Sequence, residues 1–297
     1  AWFSWFSQPE SPAEEGEVVI WDLGNAQIQE IQYRGEKLNV VMTAHEENND
    51  EASYFWAESE RLPIPPKASK SKALAVEPIK KSFRVSRAGV SKALEGFATL
   101  KGIRKLGNLD NEKRAEFKLA PPLAELSVTT KGKTYQVHVG IQAHGANLRY
   151  VCVVDGSCFV MKGGLIDDLK WADSRLYERN LFHQKKNEVI GLKLSCNDRD
   201  FSWSRPFDEK AEDGVDSWTR ISPQDGVDIE TNPQKWINQI FRVRVVRYLS
   251  AKDQETPSLR AKLMIKDQVP LNIEFATKNG GESTAYFARS SQSRIWV

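Results

Sequence analysis

The sequence has few of the residues that most often carry metal or acid–base chemistry. It contains four histidines and three cysteines in 297 residues, and none of them follows a metal-ligand or catalytic spacing. These residues are His45, His138, His144, His183, Cys152, Cys158 and Cys196. We therefore predict no catalytic residue, no cofactor and no metal site.

An excess of one charge is also missing. The 42 Lys and Arg residues nearly balance the 40 Asp and Glu residues, which leaves a net charge of +2. This balance predicts no nucleic-acid partner. The sequence also has no apolar run of about 18 residues, so we expect none of its segments to span a bilayer.

Charged clusters are interpreted as solvated surfaces. Glycosidase chemistry needs two carboxyl groups that converge from different elements, whereas Asp167 and Asp168 are neighbours on a predicted helix. The basic run Phe241–Leu249 could bind a single-stranded nucleic acid, but its arginines alternate with a helical apolar stripe. We interpret them as the wet side of a packed helix.

What the sequence does contain is an internal repeat. Pro121–Met161 resembles Pro257–Val297, which lies 136 positions later, and Ile28–Met42 resembles Val189–Trp203, which lies 161 positions later. Extra length in the first copy accounts for the difference between the two offsets. Most of it is a Pro/Lys/Ser-rich stretch that is typical of a surface loop.

Each copy reads as strands, then a helix, then further strands. Apolar residues three or four positions apart predict helices over 87–106 and 232–249, and Asn232-Pro233 is a good start for the second. We predict an α+β fold of two tandem repeats, each an antiparallel β-sheet with one or two packed helices. The predicted segments are an aromatic edge and spacer at 1–16, a first repeat at 17–163 with a Lys/Pro-rich insert at about 61–78, a connecting helix at 164–186 and a second repeat at 187–297.

A hairpin closes the first repeat around Val154-Asp155-Gly156. A three-residue loop places Cys152 opposite Cys158, where a cross-strand disulfide is sterically possible in an oxidising compartment. A two-residue Asp-Gly turn instead places Cys152 opposite Phe159 and forbids the bond. Both alternatives fit the sequence, and without the bond the cysteines are small apolar strand residues.

The sequence begins with an aromatic cluster that is followed by a polar, Pro- and Glu-rich spacer. The cluster consists of Trp2, Phe3, Trp5 and Phe6. Such residues suit a membrane interface, so we expect the outer edge of an amino-terminal membrane anchor that is not present in the given chain. The alternative is an aromatic end that folds back onto the core.

The order of these elements resembles the bacterial family known as domain of unknown function 4340 (DUF4340), over most of the chain from about Glu17. The matching positions are Phe97, Leu100, Pro122, Val128 to Gly140, Tyr150 to Met161 and Asp168 to Leu176. The resemblance implies a membrane-anchored protein on the periplasmic side of the inner membrane, in some members an auxiliary component of ABC-type transport systems of the gliding-motility kind. It transfers no catalytic residue, and the long insert departs from the family pattern.

Two function classes follow. The first is a non-enzymatic extracytoplasmic interaction module that binds a membrane-protein partner, for which the resemblance implies ABC transporter subunits. The second is a carbohydrate-binding or hydrolytic protein that uses a cleft between the repeats. Nine tryptophans suit glycan stacking, although a core or repeat-interface role explains Trp56, Trp203 and Trp218 more simply.

Overall fold

The chain folds into two compact units of mainly antiparallel β-sheet with few helices, which is an α+β architecture. The first unit ends at Tyr177 and the second begins at Glu178. The computed structural model describes residues 15–24, 26–45, 54–62, 77–143, 147–154, 156–197, 199–206, 218–222, 232–249, 255–280, 283–293 and 295–297. The amino-terminal aromatics, most of the predicted insert, His144 and Asp155 lie outside these residues.

The first unit is a single large sheet with helices added to it. Its strands are β1 (Glu15–Asp22), β2 (Ile28–Gly35), β3 (Leu38–His45), β4 (Tyr54–Arg61), β5 (Ile79–Arg84), β6 (Thr99–Gly107), β7 (Ala124–Thr130), β8 (Lys133–Ala143), β9 (Leu148–Val153) and β10 (Cys158–Lys162). Its helices are α1 (Arg87–Ala98), α2 (Asn111–Glu116), α3 (Gly164–Lys170) and α4 (Ala172–Arg175). The strand order is β1-β6-β10-β9-β8-β7-β2-β3-β4-β5.

Alternating side chains build the core of this sheet. In β7 every second residue is buried, and in β2 both Ile31 and Tyr33 are buried. Helix α1 begins where the Ser86 hydroxyl accepts the Gly89 N–H at 3.1 Å, and it buries Phe97. Burial on one face of each element therefore follows the apolar pattern of the sequence.

The predicted helix over 87–106 is wrong in its second half. The helix ends at Ala98, and residues 99–107 form β6, which pairs with both β1 and β10. Leu100 and Ile103 fit a helical stripe, but Gly102 lies against the Val160 carbonyl, where an added Cβ would be 3.1 Å from the oxygen. The backbone hydrogen bonds that β6 makes with β1 on one side and β10 on the other favour a strand over the helix that the apolar spacing predicts.

The predicted connecting helix over 164–186 is wrong beyond Arg175. Two short helices, α3 and α4, are separated at Trp171, and a 3-10 turn follows only at Lys186–Glu188. Between them, Leu181 and Phe182 are buried in the core of the second unit. Extended chain delivers both side chains to that core.

The second unit is a smaller sheet with one long helix. Its elements are β11 (Val189–Cys196), β12 (Arg199–Ser204), β13 (Thr219–Ser222), α5 (Pro233–Arg242), β14 (Leu259–Ile265), β15 (Leu271–Gly280) and β16 (Ser283–Ser290). The strand order is β13-β12-β11-β14-β15-β16. Its core joins Leu192, Trp203 and Leu263 of the sheet to Ile237 and Ile240 of α5.

Two predicted elements of this unit differ from the structure. Helix α5 begins as predicted, with the Asn232 side chain accepting the Gln234 N–H at 2.9 Å, but it ends at Arg242 instead of continuing to 249. The described residues of the predicted final strand, 295–297, are not a regular strand, although Val297 exchanges two backbone hydrogen bonds with Ala288 at 3.0 and 3.1 Å. After α5 the backbone pairs with other segments: the Val245 N–H donates to the Arg179 carbonyl and the Leu249 N–H to the Trp296 carbonyl, both at 2.9 Å, in place of helical hydrogen bonds.

Six strands in each unit follow the same order. The series β4-β3-β2-β7-β8-β9 of the first unit corresponds, in chain order and pairing, to β13-β12-β11-β14-β15-β16 of the second. Ile31 lies opposite Met42, and Leu192 lies opposite Trp203, with both positions shifted by the same 161 residues. On the other edge the register departs from the predicted offset of 136 by one residue, since Ile31 lies opposite Val128 whereas Leu192 lies opposite Leu263 and not Met264.

Candidate functional site

The cysteine hairpin has the register of the three-residue loop. Cys152 lies opposite Cys158, and the Val153 N–H donates to the Ser157 carbonyl at 3.1 Å. The structure joins the two sulfur atoms in a disulfide, with a Cα–Cα distance of 4.0 Å. Both cysteines are fully buried, whereas Cys196 is a free, half-buried thiol.

The surroundings of the disulfide form a small separate core. Phe117 stacks on Tyr150 with ring centroids 4.0 Å apart, and Leu119 packs beside the cysteines. The Arg114 guanidinium donates to the Gly156 carbonyl at 3.2 Å, which ties α2 to the loop. The disulfide therefore lies in a packed setting that closes one end of the hairpin.

The histidines of the described segments are not brought together. His138 lies half-buried opposite Cys152, and His45 stacks on Tyr54 with ring centroids 5.3 Å apart. His183 lies 3.5 Å from the Glu178 carboxylate. Among the residues that the structure describes, no group of three or more His, Cys, Asp or Glu side chains is placed to hold a metal ion.

The acids of α3 and α4 form ion pairs instead of a solvated face, which corrects the sequence interpretation. Asp168 lies 2.6 Å from Lys92 and 3.1 Å from Arg175, and only 14% of its side chain is exposed. Asp167 lies 3.3 Å from Arg149. Each carboxylate is thus matched by at least one cation, which fastens the helix to the rest of the unit.

Two titratable groups beside these pairs are perturbed. Burial lowers the pKa of Lys170, with a further lowering by Arg149 that Asp167 opposes. Burial also raises the pKa of Tyr33, and Asp167 adds to that effect while Arg149 opposes it. Side chains with shifted pKa values often mark an active site. Here, however, the neighbouring carboxylates of Asp167 and Asp168 already form ion pairs with arginine and lysine. The arrangement favours an attachment role over proton transfer.

An exposed tryptophan lies between α3 and α4, the two helices that carry these ion pairs. Trp171 keeps 51% of its surface exposed, and the Arg61 guanidinium lies 5.1 Å from its ring centroid. Arg61 also donates to the Lys170 carbonyl at 2.6 Å. The exposed Ile79 lies opposite Arg61 on the neighbouring strand, in the pairing of β4 with β5. We call Arg61, Ile79 and Trp171 the Trp171 surface.

Charged groups hold the Trp171 surface in place. Asp173 is 2.7 Å from Lys81 and 4.0 Å from Arg61, and only 16% of its side chain is exposed. The sequence predicted neither the Trp171 surface nor its ion pairs, because Lys81 and Asp173 are 92 positions apart. The clustering of Asp, Lys and Arg within 167–175 was the available signal.

Comparisons with known proteins add no relative: no protein-family model, no curated protein and no solved structure matches this chain. No helix of the described segments has both the length and the apolar character needed to cross a membrane.

Proposed function

We propose that this chain is a non-enzymatic extracytoplasmic interaction module of a membrane-anchored protein, an auxiliary subunit of an ABC-type transport or cell-envelope complex on the periplasmic side of the inner membrane. The DUF4340 resemblance supplies this context. The Trp171 surface is the site that contacts the membrane-protein partner.

The observation that carries the proposal is the pinned, exposed ring of Trp171. Tryptophan and arginine dominate the binding energy of protein interfaces, and a ring that is already fixed loses little conformational freedom when a partner binds. Arg61 and the ion pairs of Asp173 provide this fixation. The exposed ring of Trp171 and the exposed Ile79 suit a partner segment that presents apolar residues.

The disulfide supports the proposed compartment. Disulfides persist in the periplasm and other oxidising environments and are rare in the cytosol. A bond between Cys152 and Cys158 is therefore consistent with an extracytoplasmic unit.

We also propose that the two units are copies of one six-stranded repeat. The shared strand order and the shared 161-residue shift of the pairs Ile31–Met42 and Leu192–Trp203 support it. On this proposal, Trp171 lies in an addition that follows the first copy, whereas Arg61 belongs to β4 of that copy.

Site-specific photocrosslinking in native membranes tests the proposed function. A photoreactive amino acid replaces Trp171 in one variant and Val269, which is 84% exposed in the second unit, in a matched control. We expect a crosslink to a transporter or envelope protein from position 171 and none from position 269. Equal labelling from both positions, or no membrane-protein crosslink from position 171, contradicts the proposal.

The sugar-binding alternative makes a different prediction for the same ring, because an exposed tryptophan is also a stacking platform for a sugar. A glycan array separates the two functions. The interaction module predicts no signal, whereas a glycan signal that disappears in Trp171→Ala supports the alternative.

A further inference from the structure

The segment at 243–249, after α5, is extended and forms an exposed basic ridge. The sequence had predicted that its arginines lie on the solvent-facing side of a helix. The Val245 N–H donates to the Arg179 carbonyl at 2.9 Å, and Asn180 and Arg244 form an antiparallel β-bridge. Val245 and Tyr248 are buried and fix the segment. Its arginines consequently remain at the surface.

Four arginines of this region are exposed and lack an acid partner among the described residues. They are Arg179, Arg242, Arg244 and Arg247. Some arginines elsewhere face carboxylates, as Arg289 and Arg260 face Glu274. This ridge therefore carries positive charge that the described chain does not neutralise.

A polar cavity of about 220 Å³ opens beside the ridge. Arg244, Asn180, His183 and Gln184 line it, together with Phe182 and Phe241, whose rings meet edge to face at 4.9 Å. Its polar side chains are arginine, histidine and amides, which supply hydrogen-bond donors. A cavity of this composition suits an oxygen-rich anion.

Arg244 is preorganised for such a ligand. Its Nη1 donates to the carbonyls of Phe241 and Val243 at 2.8 and 2.9 Å, which fixes the plane of the guanidinium. A guanidinium has five donors, so Nε and Nη2 keep three N–H groups in the fork that matches an oxyanion.

The acid beside the cavity is already occupied. The Glu178 carboxylate, of which only 7% is exposed, accepts the Asn180 N–H at 2.8 Å and lies 3.5 Å from His183 Nε2. The Glu178 carboxylate therefore interacts with groups of its own segment, and the arginines give the ridge a net positive charge.

We propose that this cavity binds the phosphate group of a small ligand, with Arg244 as the main contact and the other arginines of the ridge contributing long-range attraction. The surplus of arginines favours a doubly charged phosphate over a single carboxylate. The phosphate can belong to a soluble phosphomonoester or to a lipid headgroup.

The test is a binding titration of the full chain with glycerol 3-phosphate, with glycerol as the phosphate-free control, alongside flotation with phosphatidylcholine vesicles that do or do not contain phosphatidic acid. In the soluble arm we expect saturable binding that weakens about tenfold in Arg244→Gln. Arg244→Lys keeps the charge but loses the fork, so its loss is smaller. Arg199→Gln, an exposed arginine elsewhere in the same unit, is the matched control and leaves binding unchanged.

The outcomes separate the sources of the phosphate. Binding of glycerol 3-phosphate identifies a soluble ligand, whereas binding only to phosphatidic acid vesicles, lost in Arg244→Gln, identifies a lipid headgroup. If Arg244→Gln fails to fold, Arg179→Gln with Arg247→Gln measures the long-range contribution. The proposal is overturned if neither probe binds the folded protein, or if Arg199→Gln weakens binding as much as Arg244→Gln.

Discussion

The two units share six strands in the same order but are completed differently. The first extends its sheet beyond β9 with β10, β6 and β1, adds a disulfide, and fastens α3 and α4 with ion pairs. The second ends its sheet at β16, where Val297 pairs with Ala288. The position of β10 in the first unit is thus taken by the last residues of the second.

This difference separates the common strands from the proposed sites. The shared strand order builds the centre of each sheet, whereas the proposed sites include residues outside the six strands: Ile79 and Trp171 in the first unit, and the arginine ridge in the second. If this account is correct, perturbing a shared core strand destabilises only its own unit, and perturbing an added element has a smaller effect.

The largest expected effect comes from a shared core strand of the second unit. Leu263 is fully buried at the centre of β14, so Leu263→Ala should lower the free energy of unfolding by about 3 kcal/mol through lost burial and a cavity. Hydrogen exchange should show the loss in the second unit alone. Leu126→Ala, fully buried in β7, is the matched variant and should affect only the first unit. A loss spread over both units from either variant would contradict independent cores.

Removing the disulfide should destabilise the first unit next. A loop closed by residues six positions apart contributes about 2 kcal/mol in the chain-entropy description. Urea unfolding of the double variant Cys152→Ala with Cys158→Ala, followed by hydrogen exchange, measures it. Reductant should reproduce the loss in the first unit of the wild type and of Cys196→Ala, which keeps the bond, and should leave the double variant unaffected. No effect of reductant on the wild-type protein would show that the bond does not form.

Breaking the α3 attachment should have a smaller effect. Asp168→Asn removes the charge that Lys92 and Arg175 share, and because both cations are more than half exposed we expect a loss of about 1 kcal/mol. Thermal unfolding compares it with Asp200→Asn in the second unit, where a half-exposed acid meets Lys193. Equal losses of stability in the two variants would mean that the ion pairs of Asp168 stabilise the fold no more than an ordinary surface ion pair does.

The smallest effect is a pH dependence at Lys170. Its pKa is lowered in the folded state, so the unfolded chain binds the proton more tightly, and stability rises as the pH increases toward the usual lysine value of 10.5. Lys170→Met should therefore be more stable than the wild type at neutral pH, and the advantage should shrink as the pH rises. Tyr33 titrates in both proteins, so its contribution cancels in the comparison. Lys80→Met, at a largely exposed lysine, is the matched control for replacing a lysine by methionine.

The alternation of apolar and polar residues predicted most strands. A strand with one buried face has an apolar residue at every second position. The pattern failed where two periods fitted equally well. Leu100, Ile103 and Leu106 suit a helix, yet the pairing of β6 with β1 and β10 decides for a strand. In the same way, Arg244 and Arg247 alternate with a helical apolar stripe, although the Val245 N–H pairs with the Arg179 carbonyl and not within a helix.

The candidate sites were much less predictable than the strands. The cysteine pair was visible because its partners are neighbours in a hairpin, and the sequence left two registers of which the structure has one. The Trp171 surface depends on Arg61, 109 positions before the backbone oxygen that it contacts. The arginine ridge depends on the early end of α5. Long-range geometry of this kind leaves no local signal in a single sequence.

The central claim is that six strands pair in the same order in both units, with β2–β3 and β11–β12 in the same register, and a map of amide-to-amide nuclear Overhauser contacts in the deuterated full chain tests it most directly. The account predicts that β2 contacts β3 and β7, that β11 contacts β12 and β14, and that the pairs Ile31–Met42 and Leu192–Trp203 hold equivalent places. A map in which β11 and β14 are not neighbours, or in which Leu192 and Trp203 are out of register, would contradict it.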